Sequence, residues 1–177
     1  MYKASRSNKF SHWWGFAAMP EGCAYPLHGE DNPLTLVCQF AYEEGLVSVF
    51  ADLDYFFGDM DADGGHIGEW NPNLYKVLYS PTTHNLHEHK IRYADGTSAV
   101  PAPRPLEGYD SLVLSQPTAW QDELEQDYPG YQVLLQLEED DDINLRFYDC
   151  GSLFFLIKPE DLAVHNFNNV KCVLYSY

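Results

Sequence analysis

The sequence predicts an α+β fold: a single domain, mostly antiparallel β-sheet, with a few short helices and an internal pseudo-repeat. Three observations predict it. Runs rich in β-branched and aromatic residues alternate with glycine, proline and acidic turns through most of the chain. The stretches read as helix are two short ones in the C-terminal half. A strand, acidic turn and strand layout occurs twice. At 177 residues the chain fits one domain, or two small ones. A composition 45% hydrophobic and 15% aromatic is too apolar for a disordered chain and supplies a core.

The elements follow in order. Residues 1–12 have no periodicity. "MPEGCAYPLHGEDNP" (19–33) holds three prolines and two glycines and reads as extended loop and turn. "LTLVCQFAY" (34–42) is a strand, and "EEG" turns the chain. "LVSVFADLDYFF" (46–57) fits both a helical stripe and a strand face; its Val, Tyr and Phe favour strand. "NLYKVLYS" (73–80) is a further strand. Residues 81–108 carry four prolines and several histidines, with a hairpin expected through "KIRYADGTSAV" at its Asp95-Gly96 turn. "QPTAWQDELEQDY" (116–128) is the best helix, with Pro117 suiting its first turn and Trp120 and Leu124 sharing a face. "YQVLLQL" and "INLRFY" flank "EEDDD" as a hairpin. "GSLFFLI" is an apolar strand, "KPEDLAVH" a short helix and "KCVLYSY" a last strand.

The pseudo-repeat emerges when the chain is slid by 97 residues without gaps. Gln39 falls on Gln136, Phe50 on Phe147, Asp52 on Asp149 and Phe57 on Phe154. The acidic pair Glu43 and Glu44 falls on Asp140 and Asp141. The units span about 34–57 and 131–154. The second alternates Ile143, Leu145 and Phe147 with Asn144, Arg146 and Tyr148, a period of two. By analogy residues 46–52 are strand as well.

The formal charge is −17, from 27 Asp and Glu against 10 Lys and Arg. Such a surface repels nucleic-acid phosphates and anionic lipid, and it attracts cations or a basic protein. Cys23, Cys38, Cys150 and Cys172 form no C-x-x-C pair and read as thiols of a reducing compartment. No signal-peptide core and no bilayer-length apolar run is present, so a cytoplasmic protein is expected.

Four constellations are candidates for chemistry. "GDMDADGGHIGEW" (58–70) places Asp59, Asp61, Asp63 and Gly64 at the first, third, fifth and sixth positions of a calcium loop. The twelfth position needs a bidentate Glu and holds Trp70; Glu69 is one residue short, and the preceding segment reads as strand. A looser cation site of Asp59, Asp61, Asp63 and Glu69 competes with a plain acidic turn, which the mismatches favour. "HNLHEH" supplies His84, His87 and His89, with His66 upstream, as imidazole ligands for zinc, but its context reads as loop. Asp52 and Asp149 are echoed carboxylates that suit acid–base work, or that each accept a backbone bond at a turn. "HWWGF" holds Trp13 and Trp14, which cannot both face one side of a strand; one enters the core, and the other is a candidate exposed anchor. No nucleophile elbow, P-loop or dinucleotide fingerprint is present.

Several stretches resemble the YwqG-like family, a bacterial group without an assigned biochemical function. "WGFAAMPEGCAYP" is similar to the family's opening motif, "PLTLVCQF" to its P-L-x-F-L-x-Q strand, and "VSVFADLDYFFGDMDAD" to its acidic run. "LYKVLYSP" and the block "YQVLLQLEEDDDINLRFYDCGSLFFLIKPEDLAVHNFNNV" extend the resemblance across about residues 14–177. Tyr148, Asn166 and Asn168 depart from the family pattern, and residues 81–115 match poorly. The resemblance implies an antiparallel α+β domain and no activity; some relatives resemble components of toxin and immunity loci. Together these observations predict a non-enzymatic interaction module with a basic protein partner. The alternative is a cation-dependent hydrolase or metal-binding protein using the 59–69 acidic loop and the nearby histidines, with calcium or zinc as the ion.

Overall fold

Sheet formation follows the apolar runs. The computed structural model describes residues 10–62, 65–92, 100–107 and 112–177. Strands β1 (His12–Trp13), β2 (Ala17–Pro20), β3 (Leu27–His28) and β4 (Asn32–Pro33) are short. They precede the long β5 (Thr35–Tyr42) and β6 (Gly45–Ala51). There follow β7 (Gly68–Glu69), β8 (Tyr75–Ser80), β9 (Leu86–His89), β10 (Arg104–Pro105) and β11 (Leu112–Val113). Helix α1 (Gln121–Asp127) leads into β12 (Gln132–Glu138) and β13 (Ser152–Ile157). Helix α2 (Pro159–Ala163) and β14 (Lys171–Tyr175) complete the order.

The chain divides into two compact units. Unit 1 comprises Lys3–Leu53 and Asn73–Gly108; unit 2 comprises Asp54–Pro72 and Tyr109–Tyr177. Unit 1 carries an antiparallel sheet in the order β10-β1-β5-β6-β8, with the two-stranded pairs β2-β9 and β3-β4 beside it in sequence. Every residue of β5 and β6 is buried, so both faces of this hairpin are covered. Gly45 opens β6 where a Cβ would collide with the Ser80 carbonyl of β8, so only glycine permits that approach. Ala17, Met19, Leu34, Leu36 and Phe50 form one core cluster of this unit.

Unit 2 carries a second antiparallel sheet in the order β11-β12-β13-β14-β7. Its central strand β13, SLFFLI, is buried throughout. Leu124 of α1 packs on Val133, Phe154, Leu156 and Val173, with Trp120, Tyr128, Tyr131 and Tyr175 around them. Pro159 starts α2 at the position where a missing N–H costs nothing.

The expected α+β class does not hold. The described residues form two helices of seven and five residues against fourteen strands, and every strand pairing is antiparallel. The protein is mainly antiparallel β. The pseudo-repeat is not shown: the second strand of its second unit is absent. Residues 143–148 form no strand, and β12 pairs with β13 instead of with them. Asp141–Ile143 is a 3-10 turn closed by Asn144 at φ 57°, and Tyr148 and Cys150 also take positive φ. Left-handed residues turn the chain, so Leu145 and Phe147 are buried without a sheet ladder between them. The period of two belongs to a folded loop.

Helix α1 is also shorter than expected. Trp120 takes φ 58° at its N-cap, so the helix starts at Gln121 and Pro117 lies ahead of it. Part of the expected hairpin through "KIRYADGTSAV" lies outside the described residues. No helix among the described residues is long and apolar enough to cross a membrane.

Candidate functional site

The acidic loop is anchored by the residue that spoils its calcium-loop pattern. Trp70 is buried. Its backbone N–H donates to the Cys172 carbonyl at 2.8 Å, and its Nε1–H donates to the His66 carbonyl at 2.8 Å. Its ring stacks on Phe56 at 5.8 Å, and Phe56 in turn meets Phe147 edge-on at 5.0 Å. Gly65 lies so close to the indole that any Cβ there would collide. An apolar wedge therefore occupies the twelfth position, where a calcium loop needs its bidentate carboxylate.

The carboxylates of the loop have other partners. Asp59 Oδ1 accepts the Asp61 backbone N–H at 3.1 Å, the turn-forming use of aspartate. Glu69 Oε1 accepts from Lys171 Nζ at 2.6 Å, and Oε2 accepts from the Tyr128 hydroxyl at 3.1 Å. The Lys171 bond, with the Tyr128 bond, holds the Glu69 carboxyl below its ordinary 4.5 against the opposing effect of burial. Burial, and then the Glu69 charge, push the Tyr128 hydroxyl well up. Asp63 lies outside the described residues. Among the described residues no group of three or more His, Cys, Asp or Glu side chains is placed to hold a metal ion.

The histidines are divided between the units. His66 belongs to unit 2, whereas His84, His87 and His89 belong to unit 1. The segment read as loop contains β9, which pairs with β2 so that His87 opposes Met19 and His89 opposes Ala17. Strand alternation puts His87 and His89 on one face and Glu88 on the other. His84 precedes the strand, and its backbone N–H donates to Thr82 Oγ1 at 3.0 Å.

Asp52 and Asp149 also fall in different units. Asp52 is buried at the end of β6, and His28 Nδ1–H donates to its Oδ2 at 2.6 Å. That bond ties the β3-β4 hairpin to the main sheet of unit 1. Asp149 is exposed, and its backbone N–H donates to Ser176 Oγ at 3.0 Å.

Trp13 and Trp14 are both fully buried, so neither presents an exposed ring to a partner. The conformation of Trp14 resolves the alternation problem. Its φ of 60° turns the chain just after β1, and its N–H still reaches the Val37 carbonyl at 3.0 Å.

Charge is where the units diverge most. By sequence, unit 2 holds 18 Asp and Glu against 3 Lys and Arg, a net −15; unit 1 holds 9 against 7, a net −2. Asp122, Glu123, Glu125 and Asp127 are exposed on α1, which has no basic residue in its last turn. Asp141 and Asp142 are exposed on the turn after β12, where Asp141 pairs with Arg146. The pattern of side chains carrying this asymmetry was present in the sequence; only the division into units makes it visible.

Fold and charge thus define a mainly antiparallel β protein of two units, one of them strongly acidic. Residues 82–175 match the family described as Domain of unknown function (DUF1963), and the chain belongs to that family. The match begins inside the 81–115 stretch that fits the YwqG-like motifs least, and it includes α1, α2 and β12 to β14. A comparison with curated proteins found no match.

Proposed function

We propose that the protein is a non-enzymatic interaction module whose unit 2 engages a basic protein. The observation that carries this reading is the concentration of −15 of the −17 formal charges in one unit. Charge of one sign at this density raises the local concentration of oppositely charged partners and accelerates encounter. The exposed carboxylates of α1 and of the Asp141–Asp142 turn supply it without sequence-distant basic neighbours on the same elements, apart from Arg146. The YwqG-like motifs add an immunity-like role by analogy, in which the basic partner is a toxin.

The test is capture from a lysate of the source cells at low salt. Retained proteins should be basic, should elute as salt rises past the range where the Debye length falls to ~8 Å, and should be lost with the D122N/E123Q/D141N/D142N protein. Capture that ignores salt and these substitutions overturns the reading. Melting in millimolar calcium or zinc addresses the competing cation-site reading: a ligand bound to the 59–69 loop raises Tm.

A further inference from the structure

The groove between α1 and β12 has a chemistry that the acidic surface alone does not. Its volume is ≈ 270 Å³. That is below the ~300–1,000 Å³ typical of cofactor and drug-sized sites, and it suits a single side chain. Leu124, Val133 and Leu156 give it an apolar floor continuous with the core of unit 2. Tyr128 and Tyr131 stand against it with their rings edge to face, 6.1 Å apart. Glu125 is the one ionised side chain of the lining, and the remaining polar groups there include the amides of Gln121 and Gln132.

We propose that this groove is a docking site for an arginine side chain of a basic partner. The proposal rests on the reading of unit 2 as a surface for basic proteins and names the residue that anchors there. An arginine has an aliphatic stem for an apolar floor and a planar cation for a carboxylate, amide oxygens and tyrosine faces. Among the lining side chains Glu125 is the single charged group and there is no lysine or arginine, so the carboxylate is what a cationic guest would meet. Gln121 donates to Glu125 Oε1 at 3.0 Å, which orients the carboxylate without neutralising it. Both tyrosines already carry a cation from within the chain. Lys158 Nζ stands 5.5 Å from the Tyr131 ring centre, and Lys171 Nζ stands 5.6 Å from that of Tyr128. Lys171 is itself matched by Glu69, so it adds little net charge beside the groove.

Two-dimensional NMR of the whole chain, titrated with N-acetyl-arginine amide, tests this. N-acetyl-citrulline amide, the neutral isostere, is the control. The expected result is saturable millimolar shifts centred on Leu124, Tyr131, Val133 and Leu156 with the arginine compound, and none with citrulline. E125Q should weaken binding severalfold with otherwise unchanged spectra. Equal shifts with citrulline, shifts centred elsewhere, or no shift at about 20 mM arginine compound, the concentration range a fragment-sized ligand requires, overturn the proposal. Arginine binding without salt-sensitive capture of basic proteins leaves the groove standing and removes the wider function. Capture with a silent groove does the reverse.

Discussion

Strands β5 and β12 meet the same demand with the same side chain, and they part company immediately afterwards. Each has a register shift, between Leu36 and Cys38 in one and between Val133 and Leu135 in the other. In each, the residue just after the short neighbouring strand takes positive φ and its N–H reaches the bulged carbonyl: Trp14 after β1 to Val37 and Leu114 after β11 to Leu134, both at 3.0 Å. Each then buries a glutamine completely. Gln39 accepts from the Ala18 N–H and donates to the Ala18 carbonyl, both at 2.9 Å, and donates to Ser48 Oγ at 2.7 Å. Gln136 accepts from the Thr118 N–H at 3.1 Å and donates to Thr118 Oγ1 at 2.7 Å, with a further contact to Glu138. A buried primary amide thereby clips a neighbouring segment to the strand in either unit.

The exits differ. Two residues, Glu43 and Glu44, join β5 to β6, whereas residues 139–151 join β12 to β13. The longer connection holds the Asp140–Asp142 turn and delivers Phe147 and Tyr148 to Phe56 at 5.0 and 5.7 Å. Unit 1 keeps its turn short and stays nearly neutral. Unit 2 uses the extra length for an aromatic cradle under the acidic 54–70 segment and for more surface carboxylates. The local pairing rules are common to both units, and the connection is what sets the character of the surface.

Four substitutions or conditions break or sharpen this comparison. The largest effect is expected from W70A, which empties the cradle; loss of a buried tryptophan costs about 3–5 kcal/mol. Chemical denaturation should show it, with unit 2 resonances affected before those of unit 1. Q39L should cost about 2–3 kcal/mol, because it orphans the N–H and C=O of buried Ala18. Q136L should cost only about 1 kcal/mol, since Thr118 is exposed and water can replace the amide. Equal losses for the two glutamines would break the parallel between the clips. The smallest effect is the pH dependence of Glu69. Its carboxyl is depressed in the folded protein, so its contribution is complete above the ordinary 4.5 and is lost as pH falls through the lower folded value. An exposed pair contributes well under about 1 kcal/mol. Between pH 5 and about pH 3 Tm should therefore fall slightly less in K171M, which removes the dominant cause of the shift.

Much of the sheet was legible because β5, β6, β8, β12, β13 and β14 are apolar runs bounded by turn residues. Residues 143–148 were not, because alternate burial also arises where Asn144 and Tyr148 reverse the chain in left-handed conformations. The same conformation hid the fate of Trp13 and Trp14, since strand alternation assumes an extended backbone and Trp14 is not extended. The division into units was illegible for a different reason. Residues 54–72 fall between two strands of the unit 1 sheet in sequence, yet they belong with residues 109–177. Only the aromatic content of "DYFFGDMDADGGHIGEW" hinted that this segment is held by packing. Glutamine in the middle of an apolar strand was the one visible sign of the clips, because an amide buried there must find partners.

The cysteines give each unit its own clock. Cys38 is sealed in β5 and Cys172 in β14, and burial pushes both thiols up, away from the reactive thiolate. Cys150 is exposed and Cys23 half-buried. With the two accessible positions blocked first, alkylation of Cys38 and of Cys172 would each proceed only through transient opening of its own sheet. Peptide mass spectrometry of the two rates against denaturant then reads cooperativity directly. Coincident rates mean that the protein opens as one body. Separate rates mean that one unit loosens while the other holds.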